Sequence, residues 1–116
     1  VSGNTNIIET ARTKLGCAYV WGATGPNTFD CSGLVMWVYQ QNGITVPRTT
    51  SQYKPYIGTD KEVSWEEAQP GDIVWREGHM GIYLGNDKYI HAPQTGDVVK
   101  ESSGAKKSFT NVFRFY

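Results

Sequence analysis

A cysteine at the mouth of a helix, one residue after an acid, is the first chemically suggestive feature of the chain. In TFDCSGLVMWVY (28–39) Cys31 lies between Asp30 and Ser32, and an apolar run follows at once. The first turn of a helix leaves main-chain N–H groups unpaired and carries the positive end of the macrodipole. A thiol placed there is expected to ionise more readily than an ordinary one, and so to serve as a nucleophile. Such a nucleophile needs a base, and the chain has two histidines, His79 and His91. His79 opens the run HMGIYL, with Gly78 before it and Gly81 two residues on, which leaves room for a neighbouring thiol. His91 falls in YIHAP, where it can hold the first imidazole in one tautomer. Cys31, His79 and His91 make a nucleophile, a base and an orienting group.

Each of these residues alone has a plainer reading. A cysteine near a helix start is more often a small buried hydrophobe, and a single histidine is more often a satisfied surface or core group. Their joint occurrence carries the chemical reading. Cys17 and Cys31 can be paired on paper as a disulfide if the protein is secreted, but a domain of this length folds without such help. They stand fourteen positions apart, unlike the short Cys spacing of structural zinc sites. No metal and no cofactor is expected.

These groups must be positioned by particular elements. Ile7, Ile8, Ala11 and Leu15 fall on one helical face, so the spacing predicts a first helix over Thr5 to Leu15, stopped by Gly16. CAYVWGATGPNTF reads as an extended loop. Asp30 suits the N-cap of a second helix running towards Gly43, with Leu34, Val35, Val38 and Tyr39 on its buried stripe. DIVWREGHMGIYLGNDKYIHAP then alternates short β-rich runs with turns, and DVVKE and TNVFRFY supply two further strands. Helices first and antiparallel strands afterwards predict an α+β fold, with the helices packed on one face of the sheet. One difficulty follows. A two-residue turn at Asn86 and Asp87 pairs Ile82 with His91 and leaves His79 three residues off, ~10 Å along the strand. The histidines can then meet only through a bulge, another register or a larger loop.

Composition narrows the function classes. A chain of 116 residues, 39% hydrophobic, suits one domain with its own core. Eleven basic and eleven acidic residues cancel, which removes the attraction a general nucleic-acid or anionic-membrane binder needs. No apolar run approaches a membrane span, so no membrane insertion is expected. The start VSGNTNIIETARTKLG has neither an initiator Met nor a signal pattern, which reads as a domain excised from a longer modular protein.

YVWGATGPNTFDCSGLVMWVY, PRTTSQ, PGDIVW, GHMGIYLG and YIHAP together resemble the catalytic domain of the NlpC family of bacterial cell-wall peptidases, small papain-like cysteine enzymes. The match runs from about Ile7 to Phe115, and five motifs in order are far more specific than the D-C-S-G tetrapeptide alone. The resemblance implies a single catalytic domain over 1–116 with a papain-like fold. It implies Cys31 as nucleophile, His79 as general base, His91 as the orienting third residue, and Tyr19 as the tyrosine that positions the thiol or stabilises the oxyanion. Asp30 and Ser32 then line the pocket for the residue upstream of the scissile bond. Arg48 stands where a basic side chain would lie near that pocket, and its guanidinium would suit the free α-carboxylate of a γ-linked D-glutamate. Arg48 also reads as a surface or capping residue, and Asp30 as an N-cap alone.

The implied activity is hydrolysis of the peptidoglycan stem peptide after γ-D-glutamate and before the diamino acid, diaminopimelate or lysine, through a thioester. An amidase or acyltransferase on the same scaffold, or a wall-binding module with a disabled site, are the alternatives. The implied partners are peptidoglycan stem peptides and tethered wall-binding or glycan-cleaving domains. The implied location is outside the cytoplasmic membrane, by secretion or by delivery on a phage or mobile-element particle. Ala18 departs from a common family proline, which would loosen the loop bearing Tyr19. Met80 replaces a smaller residue after the base, which would reshape the pocket wall. Cys17 reads as a small buried hydrophobe. Among the four tryptophans, Trp75, just before His79, is the candidate for a cleft wall, and Trp37 belongs to the core.

Overall fold

The structure, a computed structural model, describes residues 4–116. Asn4 caps the first helix: its side-chain oxygen accepts from the N–H groups of Asn6 and Ile7, and α1 runs over Thr5–Arg12. It ends earlier than the apolar spacing suggests. Ile7, Ile8 and Ala11 are buried, but Leu15 is exposed and lies in the following turn, where the Gly16 N–H donates to the Val99 carbonyl. The chain leaves the helix there and bonds to the segment around Val99.

The segment 17–29, expected to be loop throughout, contains a short parallel pair, β1 (Ala18–Tyr19) with β2 (Thr28–Phe29). Ala18 does not loosen it: β1 is bridged to Val98 as well, and the Tyr19 N–H donates to the Asp97 carbonyl. Helix α2 (Cys31–Gln41) follows, with Asp30 as its N-cap accepting the Gly33 N–H at 2.6 Å. A Cβ on Gly33 would strike the Ala23 carbonyl and the Asp30 carboxylate, so the glycine is what lets the preceding loop cross the mouth of the helix. Leu34, Val35, Val38 and Tyr39 are fully buried. Truncating Leu34 to alanine would cost about 2–5 kcal/mol.

The remaining strands are β3 (Glu62–Val63), β4 (Ile73–Arg76), β5 (His79–Gly85), β6 (Lys88–His91), β7 (Lys100–Ser103) and, after a short helix α3 (Ala105–Ser108), β8 (Asn111–Phe113). They form one antiparallel sheet in the order β3-β8-β4-β5-β6-β7. Strand β3 carries no sequence signal strong enough to separate it from loop, and β7 begins three residues later than DVVKE suggests. Alternation along the strands divides the apolar residues. Ile73, Trp75, Met80, Ile82, Ile90 and Phe113 pack with α1 and α2, while Val74, Tyr89 and Val112 pack on the other face with Ala105 and Phe109. Met80 is therefore fully buried among core residues and shapes no pocket wall. The fold is α+β, with the two long helices on one face of the sheet and α3 on the other.

The β5–β6 hairpin turns at Asn86 and Asp87, both with positive φ, and Gly85 pairs with Lys88 as a two-residue turn requires. Beyond the turn the register shifts: Tyr83 pairs with Tyr89, so Leu84 is an extra residue and Ile82 faces Ile90 rather than His91. Under α2, the Tyr39 hydroxyl donates to the Gly71 carbonyl. The fully buried Asp72 carboxylate accepts a two-pronged bond from Arg114, at 2.9 Å on each oxygen.

Candidate active site

The bulge resolves the difficulty with the histidines. Continuing the pairing from Ile82 and Ile90 sets Gly81 against His91 and puts His79 two residues away on the same face. His79 Nε2 lies 2.8 Å from His91 Nδ1, and His91 Nε2 lies 3.0 Å from Ser102 Oγ on β7. Each step crosses diagonally to the next strand on one face of the sheet. Gly81 makes the first step possible, since a Cβ there would stand 2.8 Å from the Ile90 carbonyl oxygen and 3.2 Å from the His91 Cβ. With His79 Nε2–H donating to His91 and His91 Nε2–H donating to Ser102, His79 Nδ1 is left with a free lone pair.

Two aromatic rings cover this chain of hydrogen bonds. Phe109 stacks on His79 at 5.7 Å between ring centroids, and Tyr89 meets His91 edge-on at 4.6 Å. Burial is accordingly the main cause that pushes His79 down to about 4, with the charges of His91 and Arg76 adding to it. His91 is also pushed down to about 4, by burial first and then by Lys100, against an opposing pull from Asp97. Both imidazoles are neutral at pH 7.

Cys31 is half-buried at the first residue of α2. The main-chain N–H groups of Ser32, Met80 and Cys31 itself point to its sulfur, so the thiol meets β5 at the residue directly after His79. Gly78, directly before His79, lines the same cleft as Cys31. The expected lowering of the thiol pKa is not found. Burial, and then the Asp30 carboxylate next to it, raise the pKa by more than the three N–H groups lower it. At rest the thiol is protonated and the imidazole neutral. Cys17 is also a free, partly buried thiol, packed against the core.

The cleft on the Cys31 side has a volume of about 270 Å³ and is lined by Tyr19, Trp21, Asp30, Ser32 and Arg48, among others. Arg48 is not a free guanidinium. It grips Asp30 through both terminal nitrogens, at 3.2 and 3.0 Å, and donates to Ser32 Oγ at 2.9 Å. Asp30 also accepts the Gly22 N–H at 3.0 Å, which ties the Trp21 loop to the helix cap. A substrate carboxylate would meet Arg48 only in competition with Asp30. The Tyr19 hydroxyl is held protonated, raised by burial and then by Cys31 and Asp30. Trp75 is not brought to the cleft: it is 3% exposed, its indole N–H donates to the Thr50 carbonyl, and its ring packs on Phe113. The exposed aromatic side chain at the cleft is Trp21, 83% exposed, beside the half-buried Tyr19. Ser102, Phe109 and Tyr89 are the site residues sequence reasoning missed. Among the described residues no three His, Cys, Asp or Glu side chains are grouped as a metal site requires.

A helix-borne cysteine set against a histidine pair on an antiparallel sheet is the arrangement of the papain-like α+β class. Within that class the chain belongs to the NlpC/P60 family, whose model matches residues 16–114. A protein of Corynebacterium glutamicum named probable endopeptidase is 46% identical over 112 residues, covering 94% of this chain and 52% of that protein. The probable endopeptidase p60 of Listeria seeligeri is 48% identical over 95 residues, 78% of this chain and 18% of that protein. The chain thus spans about half or less of these relatives. Among solved structures, the NlpC/p60 domain of the peptidoglycan hydrolase SagA superposes with a TM-score of 0.81 at 34% identity, covering 95% of this chain and 97% of that one. The peptidoglycan hydrolase RipB of Mycobacterium tuberculosis gives 0.81 at 26% identity, with 96% and 63% covered.

Proposed function

We propose that the chain is a peptidoglycan endopeptidase that cuts the stem peptide after γ-D-glutamate and before the diamino acid. The observation that carries this reading is the hydrogen-bonded run His79, His91 and Ser102, with His79 Nδ1 unoccupied, on the strand whose Met80 N–H points to the Cys31 sulfur. The names borne by its relatives and structural neighbours support the substrate class. In the first half-reaction His79 Nδ1 removes the Cys31 proton as the sulfur attacks the γ-carbonyl, which suits a thiol that is not already ionised. The oxygen of the tetrahedral intermediate lies near the Cys31 N–H and the protonated Tyr19 hydroxyl, and one such donor contributes about 3 kcal/mol. The imidazolium then protonates the leaving amine and a thioester remains. Water, deprotonated by His79, hydrolyses it and restores the thiol. Asp30, Ser32, Arg48 and Trp21 line the side that holds the acyl group.

In this reading the domain works outside the cytoplasmic membrane, as one part of a longer modular protein. No helix among the described residues is long and apolar enough to cross a membrane. The test is incubation of the protein and its Cys31→Ala variant with purified muropeptides, followed by mass spectrometry. A Cys31-dependent cut after D-glutamate is the expected result. Release of the whole peptide from muramic acid would make it an amidase, and retention of every stem intact would overturn the endopeptidase reading.

A further inference from the structure

The catalytic pair is flanked by two cavities. One, described above, is lined by Cys31; the other, about 410 Å³, is lined by His79 and His91 together with Arg76, Gln94 and Phe109, and the two meet at Gly78. Chemistry assigns them to opposite sides of the scissile bond. The acyl group becomes bonded to Cys31 and lies in the first, while the amine that leaves takes its proton from His79 and lies in the second.

The second cavity has a distinctive charge. Arg76 pairs directly with His79 across β4 and β5, so its side chain stands on the same face, and its charge is one of the causes that depress the His79 pKa. Among the described residues Arg76 makes no ion pair; its guanidinium bonds only the Glu77 main-chain carbonyl, at 3.4 Å. The Glu77 carboxylate itself is engaged by Lys54. No acidic side chain lines the cavity. Arg48, by contrast, has its carboxylate in place already. An Arg fork without a carboxylate, beside the imidazole that protonates the leaving amine, is built to receive an acid on the leaving residue.

We infer that Arg76 is a specificity-determining residue that selects a leaving diamino acid bearing a carboxylate at the end of its side chain, as diaminopimelate does, over lysine, whose terminal ammonium has no carboxylate beside it to offset the repulsion. This rests on the endopeptidase reading for its biological meaning, but binding can be tested without turnover. The Cys31→Ala protein, with Arg76 intact or replaced as Arg76→Gln, is titrated with three leaving-side peptides: diaminopimelyl-D-alanine, the same peptide with its side-chain carboxylate amidated, and lysyl-D-alanine. Arg76 is exposed at a strand end, so the substitution leaves the core untouched. The expected result is roughly tenfold tighter binding of diaminopimelyl-D-alanine than of the other two, with the preference abolished by Arg76→Gln. Equal binding of all three overturns the inference. Arg76-dependent binding that survives amidation also overturns it, by placing the guanidinium on the C-terminal carboxylate. Failure of the Cys31 enzyme to cut any stem would defeat the endopeptidase reading alone, because the titration still decides whether Arg76 selects the acid.

Discussion

Acidifying the protein from pH 7 to pH 5 should destabilise it through its histidine pair. Folding holds both imidazoles near a pKa of about 4, from the ordinary 6.5, chiefly by burial beneath Phe109 and Tyr89. The folded pKa lies below the unfolded one, so the unfolded chain binds protons that the folded chain refuses. Stability is therefore complete above about pH 6.5 and falls as the pH drops towards 4. Between pH 7 and 5 one such group costs about 2 kcal/mol. The pair costs about 3 kcal/mol, less than double, because part of the His79 depression is the charge of His91 and His79 is partly open to solvent. Urea denaturation at the two pH values measures the loss, with the His79→Gln/His91→Gln double variant as control. That variant should lose about 3 kcal/mol less than the unaltered protein over the same interval. Carbon-bound imidazole proton shifts, followed by NMR, give the two midpoints directly. Equal losses in the two proteins, or midpoints near 6.5, would refute the reasoning.

Alkylation of Cys31 by iodoacetamide, in a Cys17→Ala background, should accelerate with pH and reach its midpoint above that of an exposed thiol. A rate flat from pH 5 to 8 would indicate a preformed thiolate and imidazolium, contrary to the raised thiol pKa. Gly81→Ala should lower turnover more than tenfold while costing about 1–3 kcal/mol of stability, because the new methyl group separates the strands where the histidines meet. Turnover near normal in that variant would mean that the diagonal contact is not needed. Arg114→Ala leaves the Asp72 carboxylate buried without its partner and should cost about 3–5 kcal/mol in urea denaturation; a cost below about 1 kcal/mol would show that water replaces the guanidinium.

Features set by neighbours in the chain were legible in the sequence. Asp30 as N-cap, the apolar stripe from Leu34 to Tyr39 and the turn at Asn86 and Asp87 each depend on a few adjacent residues, and the structure has all three. Features set by long-range pairing were not. Nothing in the type of Leu84 marks it as an extra residue, and without that shift neither the His79–His91 contact nor the position of Ser102 in the polar run KESSG can be derived. Closeness in sequence to His79 points Trp75 to the cleft, yet strand alternation turns it into the core. The helix terminus alone predicts a lowered thiol pKa, whereas burial and the Asp30 charge outweigh it. Arg48 shows the same limit: its type suits a carboxylate ligand, but only the fold reveals that Asp30 already fills that role.

The extra residue at Leu84 also makes the site depend on parity. Pair Leu84 with Tyr89 instead, closing the bulge without removing a residue, and Ile82 falls against His91, which sends the two imidazoles to opposite sides of the sheet although every site residue is still encoded. Lengthening the tip beyond Gly85 and Lys88 leaves the odd and even positions in step, so the turn is free to vary where the strands behind it are not. A change of length between tip and histidines is tolerated only when Ile82 still pairs with Ile90, as it would with Leu84 removed and the bulge closed. In this hairpin the register is as heritable a requirement as the identity of the histidines, and a sequence that keeps both histidines but loses the register encodes a folded domain without its base in place.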